Sequence, residues 1–273
     1  MGGLAMKPFK GFVATVMLSV FVLTFAGSAF ANNLEKLPDR ETPIYLKIDR
    51  FYILYTHPHA PFVDEKNRLL IPVRAIRDLM GGTVAYDAMT RSASVNFVEH
   101  TFRFTIGSTT VVIDGEKTDM DTIPVLIDGA MFVPIRFILD RTDMEWTWNA
   151  EHGYLHIRDE RVVKGKPFEQ FETIDMAQIV DEHAIHLKSY AVNREGRFLT
   201  VTGINVSGKD IEAGKADIQP LTTSDDGFSV DSYNRPSYPP LPLVKANGEV
   251  TKEVFLPGLS TVLYIISVGR EMK

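Results

Sequence analysis

The chain contains no cysteine in 273 residues, which removes disulfides, thiolate metal sites and cysteine nucleophiles together. Stability must therefore come from packing. A lipid-modified leader, which needs a cysteine beside its cut, is not expected either. An exported protein that uses no disulfide fits a Gram-positive cell surface better than a eukaryotic secretory route. Positive charge is also short: 29 Lys and Arg stand against 35 Asp and Glu, a formal net charge of −6. An acidic chain is a poor partner for nucleic acid or an anionic membrane, where binding relies on Lys and Arg neutralising phosphate. Gly-rich phosphate loops, zinc-protease helix motifs and nucleophile elbows are absent as well.

The first segment is read apart from the fold. Lys7 and Lys10 precede an uncharged apolar run from Gly11 to Ala26, and Ser28-Ala29-Phe30-Ala31 places small residues where a signal peptidase inspects them. The run is shorter than the ~20 residues a membrane-spanning helix needs. Residues 1–31 are expected to be a signal peptide cut before Asn32, with Met6 as an alternative start. Removing them takes away two lysines and no acid, so the remainder carries −8. No sorting motif or membrane helix follows Val268, so retention at an envelope would need a partner or the uncut leader. The expected location is secreted or envelope-associated, with no membrane contact apart from the signal peptide.

What is present is a phrase said twice. Leu69-Leu70-Ile71-Pro72-Val73-Arg74-Ala75-Ile76 returns as Met131-Phe132-Val133-Pro134-Ile135-Arg136-Phe137-Ile138. Around each copy the same order of hairpin, helix and hairpin signals can be read, and a repeated supersecondary unit generally buries its apolar face against its neighbour. Pro72 and Pro134 are each predicted at the first helical position, where the missing N–H costs nothing. Gly81-Gly82 ends the first helix. Thr83 to Tyr86 with Ser92 to Phe97, and Glu145 to Trp148 with Tyr154 to Ile157, are the predicted closing hairpins. Asp128-Gly129 is a strong hairpin turn signal. Ile44, Leu46 and Ile48 alternate with polar residues, predicting a half-buried opening strand.

From Glu160 onward the repeat stops. Ile185–Val192, Phe198–Val206, Phe228–Tyr233, Val250–Phe255 and Thr261–Val268 are strand-like, separated by Gly, Asn, Asp and Pro clusters, which suggests a small antiparallel sandwich. Residues 235–243 are too Pro-rich for a central strand. The expected class is mainly β with short helices (α+β): a duplicated strand-helix-hairpin unit over 42–158, then a β-sandwich-like module over 165–273.

The run Asn67 to Ile76, the hairpin Val84-Ala85-Tyr86-Asp87 through Thr90-Arg91, and their partial echo at 123–157 resemble the copper amine oxidase N-terminal domain-like family, also called stalk domains. The resemblance covers about 42–158 and implies an appended domain of an exported Gram-positive protein. The second copy departs from the pattern: Arg141-Thr142-Asp143 replaces the Gly-Ala helix end, Ala150-Glu151-His152-Gly153 replaces the Thr-Arg turn, and Asn149 stands where Asp87 does. In that family copper and the quinone cofactor belong to a separate catalytic domain. The quinone forms from a tyrosine that follows an asparagine, and no tyrosine here does so. Oxidase activity is not implied.

Candidate chemistry is sparse. His57-Pro58-His59 is the most metal-like cluster, but a full site needs further ligands that only folding could bring, such as Asp64 or His100. His152 with His156, and His183 with His186, would share a face only on a helix, so both pairs are read as surface or edge residues. Arg74 and Arg136 sit near helix starts, against the dipole. The simplest compensation is a carboxylate or strand-end carbonyl at the closing hairpin, with Asp87 the candidate for Arg74; the functional alternative is a grip on an anionic wall polymer. Trp146 and Trp148 share one strand face, and with Tyr86 and Tyr154 they put flat rings on the closing hairpins, where rings pack in cores or stack on sugars. Candidate glycan or ligand contacts are Trp146, Trp148, Tyr86, Arg74 and Arg136. No catalytic residue, metal or cofactor is expected. The expected role is an exported non-catalytic stalk or binding protein for a cell-wall glycan or surface protein. The alternative is a secreted wall-acting hydrolase with its site in the C-terminal half. Nothing in the sequence sets the oligomeric state.

Overall fold

Short runs of β-branched and aromatic residues punctuated by Asp, Asn and Gly favour paired strands, and the protein is mainly β with three short helices among its described residues. The computed structural model describes Gly2 and residues 37–162, 165–193, 197–224, 227–230, 240–255 and 262–273. The expected signal peptide, and residues 235–239 of the Pro-rich segment, lie outside these. No helix among the described residues is long and apolar enough to cross a membrane.

Strand β1 (Thr42–Pro43) leads into the hairpin β2 (Leu46–Ile48) and β3 (Phe51–Thr56). Alternation predicts one buried face here, yet both are buried, Lys47 included at 3% exposure. The reason is a layer on each side. Leu46, Ile48, Phe51 and Ile53 face one apolar cluster, and Tyr52, Leu54 and Tyr55 face another.

The hairpin β4 (Phe62–Val63) and β5 (Leu69–Pro72) precedes α1 (Val73–Met80), then β6 (Thr83–Asp87) and β7 (Ser92–Phe97). Val73, Ile76, Leu79 and Met80 form the buried stripe of α1, and Gly81 ends it in the left-handed region at φ 76°. Pro72 does not open the helix as predicted. It closes β5 at φ −64°, ψ 134°: a proline φ suits helix and strand alike, and pairing in the sheet holds ψ extended. Strands β8 (His100–Thr105), β9 (Thr110–Ile113) and β10 (Glu116–Asp119) complete a five-stranded sheet in the order β10-β9-β8-β7-β6.

The same order recurs in β11 (Val125–Ile127), β12 (Ala130–Pro134), α2 (Ile135–Arg141), β13 (Trp146–Asn149) and β14 (Tyr154–Ile157). Asp128 and Gly129 take φ 47° and 79°, the left-handed pair of a two-residue hairpin turn. Pro134, like Pro72, stays extended at ψ 110°. Without a glycine, α2 stops differently: Thr142 Oγ1 donates to the Ile138 carbonyl at 3.0 Å and Asp143 takes the left-handed φ of 48°. Strands β5 and β12 pair antiparallel, with Leu70 opposite Pro134, Ile71 opposite Val133 and Pro72 opposite Phe132. The three paired positions of the two octamers meet reciprocally, which is the register of a local two-fold axis. Accordingly α1 packs on β12 and α2 on β5. The closing hairpins then part: β6–β7 lies in the five-stranded sheet, β13–β14 in a larger one.

The remaining elements are α3 (Lys166–Ile174), β15 (Ile179–Asp181), β16 (Ile185–Asn193), β17 (Phe198–Asn205), β18 (Ala216–Ser224), β19 (Gly227–Val230), β20 (Glu249–Phe255) and β21 (Val262–Met272). One sheet runs β1-β16-β17-β20; the other runs β13-β14-β2-β3-β21-β18-β19, with β15 also on β21. The β2–β3 hairpin sits between β14 and β21. Segments 42–158 and 165–273, expected as separate modules, therefore share a sheet.

The two sheets approach most closely where β21 passes β16. A methyl group on Gly269 would press into the Ile185 carbonyl and the Leu187 side chain. Gly269→Ala is expected to lower stability by about 1–3 kcal/mol through overpacking, read as a lower denaturant midpoint with an unchanged slope. An unchanged midpoint would show that the sheets can separate freely.

Candidate functional site

A cleft of about 910 Å³ opens beside α2 and β13, lined from four directions. Strand β13 supplies Trp146 and Trp148, α2 supplies Arg136, Phe137 and Asp140, the β4–β5 turn supplies Asn67 and Arg68, and the end of β10 with its following turn supplies Asp119, Met120 and Asp121. Tyr45 and Leu155 add to the wall.

Strand alternation puts both indoles on one side, but their surroundings differ. The Trp146 Nε1–H donates to Asp140 Oδ1 at 3.1 Å, and the Arg136 guanidinium lies 4.8 Å from its ring centroid. Arg136 Nε is 3.6 Å from Asp140 Oδ2, one helical turn on. Trp146 is thus held on two sides. Trp148 is 48% exposed and lines the cleft. Opposite, Arg68 Nε and Nη2 both reach Asp121 Oδ2 at 2.5 Å, and Thr110 Oγ1 donates to Asp119 Oδ1 at 2.9 Å. Every charged side chain in the wall has a partner of its own.

Of the five candidate contacts, the cleft gathers Trp146, Trp148 and Arg136. Tyr86 lies on edge strand β6, half exposed and elsewhere. Arg74 is on α1, away from the cleft wall, and its charge acts on the Tyr264 hydroxyl, itself a donor to Asp78 Oδ2 at 2.5 Å. Asp87 is not the partner expected for Arg74. It accepts from the Met89 amide at 2.9 Å and from Thr90 Oγ1 at 2.7 Å in its own turn, bonds that hold its carboxyl below the usual range. Arg136, too, finds its carboxylate one turn along its own helix and not at the closing hairpin. Arg68, Asp119 and Asp121 carried no sequence signal, because Arg68 and Asp121 meet only when the β4–β5 turn docks on the segment after β10.

The histidines also sort themselves. His59 bonds Asp128 at 2.9 Å and His100 bonds Asp114 at 2.7 Å. Among the described residues no group of three or more His, Asp or Glu is placed to hold a metal. His57 Nδ1 lies 3.5 Å from the Tyr55 hydroxyl. The remaining four, read as edge residues, meet in one seam between β14 and β16. His152 stacks on His186 at 4.3 Å, Tyr154 stacks on His186 at 4.8 Å, and His156 lies edge-on to His183 at 6.4 Å. Tyr52 and Lys47 close the seam from below, with the Tyr52 hydroxyl 3.3 Å from His186 Nδ1 and Lys47 Nζ 3.3 Å from His183 Nδ1. Burial of these groups pushes His186 down to about 3, His156 to about 4 and Lys47 to about 8, and lowers His183 as well.

No curated protein and no solved structure matches the chain. In the comparison with family models, residues 48–157, which carry both tryptophans and all the charged groups of the cleft, match the copper amine oxidase N-terminal domain, a non-catalytic domain of those enzymes.

Proposed function

We propose that this is an exported, non-catalytic cell-envelope protein whose two sister units, joined at the strands that end in Pro72 and Pro134, form a rigid body that presents the cleft to a cell-wall glycan. The observation that carries this reading is the pair of indoles on β13, one braced by Asp140 and Arg136 and the other half exposed at the cleft. A ring fixed in place loses little freedom when a ligand stacks on it. The reciprocal register of β5 and β12 supports an origin by duplication, and the basic, apolar, small-residue leader supports export.

The test is co-sedimentation with purified cell walls stripped of protein. The wild type is expected to pellet with the walls, and the Trp146→Ala plus Trp148→Ala variant to stay in solution. A wild type that stayed in solution, or bound only unstripped walls, would point away from glycan and toward a surface protein. Turnover of a wall substrate by the purified protein would contradict the non-catalytic role.

A further inference from the structure

We propose that the cleft takes an uncharged, polyhydroxylated sugar strand, and not an anionic wall polymer or a charged peptide. This inference rests on the wall-binding reading above and names the ligand class for that site.

The argument is the state of the charges. Two guanidiniums and three carboxylates line the cleft, and they are already engaged: Arg68 with Asp121, Arg136 with Asp140 and the Trp146 ring, Asp119 with Thr110. A phosphate or carboxylate ligand would meet guanidiniums whose charge is already matched and would lie beside three carboxylates, so what it gains from the remaining N–H groups is offset by repulsion. A hydroxyl faces no such cost. Each paired carboxylate keeps lone pairs that accept from a sugar O–H, and each paired guanidinium keeps N–H groups that donate to a sugar oxygen. Polar groups around a half-exposed indole complete the match: the Trp148 ring in the cleft wall offers an apolar platform to the C–H face of a pyranose, while the paired groups meet its hydroxyl rim. The volume of about 910 Å³ admits a stretch of strand rather than a single small solute.

The experiment uses the leaderless protein bound to protein-stripped walls, with two competitors: the tetramer of β-1,4-linked N-acetylglucosamine, which is uncharged, and a glycerol phosphate polymer of similar length. The inference expects displacement by the tetramer, none by the phosphate polymer, and affinity unchanged between low and high salt. Trp148→Ala is expected to weaken binding at least tenfold without changing the unfolding midpoint, since that ring is half exposed. Displacement by the phosphate polymer, or a steep loss of binding with salt, would overturn the inference while leaving wall binding intact. Failure of the tetramer to compete would also overturn it. Absence of any wall binding by the wild type would instead remove the reading beneath it.

Discussion

Replacing Arg270 with methionine is expected to cost about 3–5 kcal/mol of stability, the range for breaking a buried ion pair by removing one partner. Arg270 is fully buried on β21. Its Nη1 and Nη2 reach the two oxygens of Asp175 at 2.5 and 2.9 Å, and its Nε reaches Asp217 Oδ2 at 2.8 Å. Asp217 lies directly across the ladder on β18, and Asp175 caps the C-terminal end of α3. One guanidinium therefore ties α3 to the shared sheet, and its central carbon lies 5.6 Å from the Phe171 ring centroid. Methionine fills much of the same volume but leaves two buried carboxylates without that guanidinium. The check is denaturant unfolding of Arg270→Met beside the triple variant that also carries Asp175→Asn and Asp217→Asn. The triple variant is expected to recover part of the loss, because the buried charge goes with the guanidinium. A loss under about 1 kcal/mol for the single variant would show that water reaches the triad.

The second large effect is acid lability. His186 is held at about 3 and His156 at about 4 in the folded protein, first because burial disfavours their charged forms, against about 6.5 in an unfolded chain. Between those values the unfolded chain binds protons that the folded one does not, so stability rises with pH across this window and falls as pH drops from about 6.5 toward 4. The contribution of His186 is on the order of a few kcal/mol; that of the more exposed His156 is smaller after solvent screening. Protonation would also add charge beside Lys47, Arg158 and Lys188, only partly offset by Asp49, Asp181 and Glu182. The depressed carboxyl of Asp159, held at about 2, acts in the same direction but lower on the pH scale. His186→Asn, which keeps a polar atom near the Tyr52 hydroxyl, is expected to flatten the profile between pH 6.5 and 4 and leave the lower limb unchanged. An equally steep profile in that variant would place the acid sensitivity elsewhere.

Much of residues 42–158 is legible because local signals agree with the fold. The Asp-Gly turns, the apolar stripe of α1 and the two proline-led octamers each specify their element within a few residues. What stayed hidden depends on contacts between distant segments. Asp217, Gln219 and Pro220 interrupt any apolar alternation in β18, yet the strand is buried because Arg270 answers Asp217 from across the ladder. Helix α3 shows little beyond Phe168 and Phe171, which pack on Phe51, a residue over 100 positions earlier. The site divides in the same way. Trp146 and Trp148 were found by strand alternation, whereas Arg68 and Asp121 needed the docked turn. The histidine seam has no local signature, because only the packing of β14 against β16 brings the four rings together.

The protein has two tryptophans and both line the cleft, so its indole fluorescence reports on that site alone. The most direct test of the account is to titrate the leaderless protein with the uncharged N-acetylglucosamine tetramer and follow that emission. A saturable change that Trp148→Ala abolishes is the predicted result. Emission that stays constant while the same protein still sediments with stripped walls would place recognition on another surface and contradict the account.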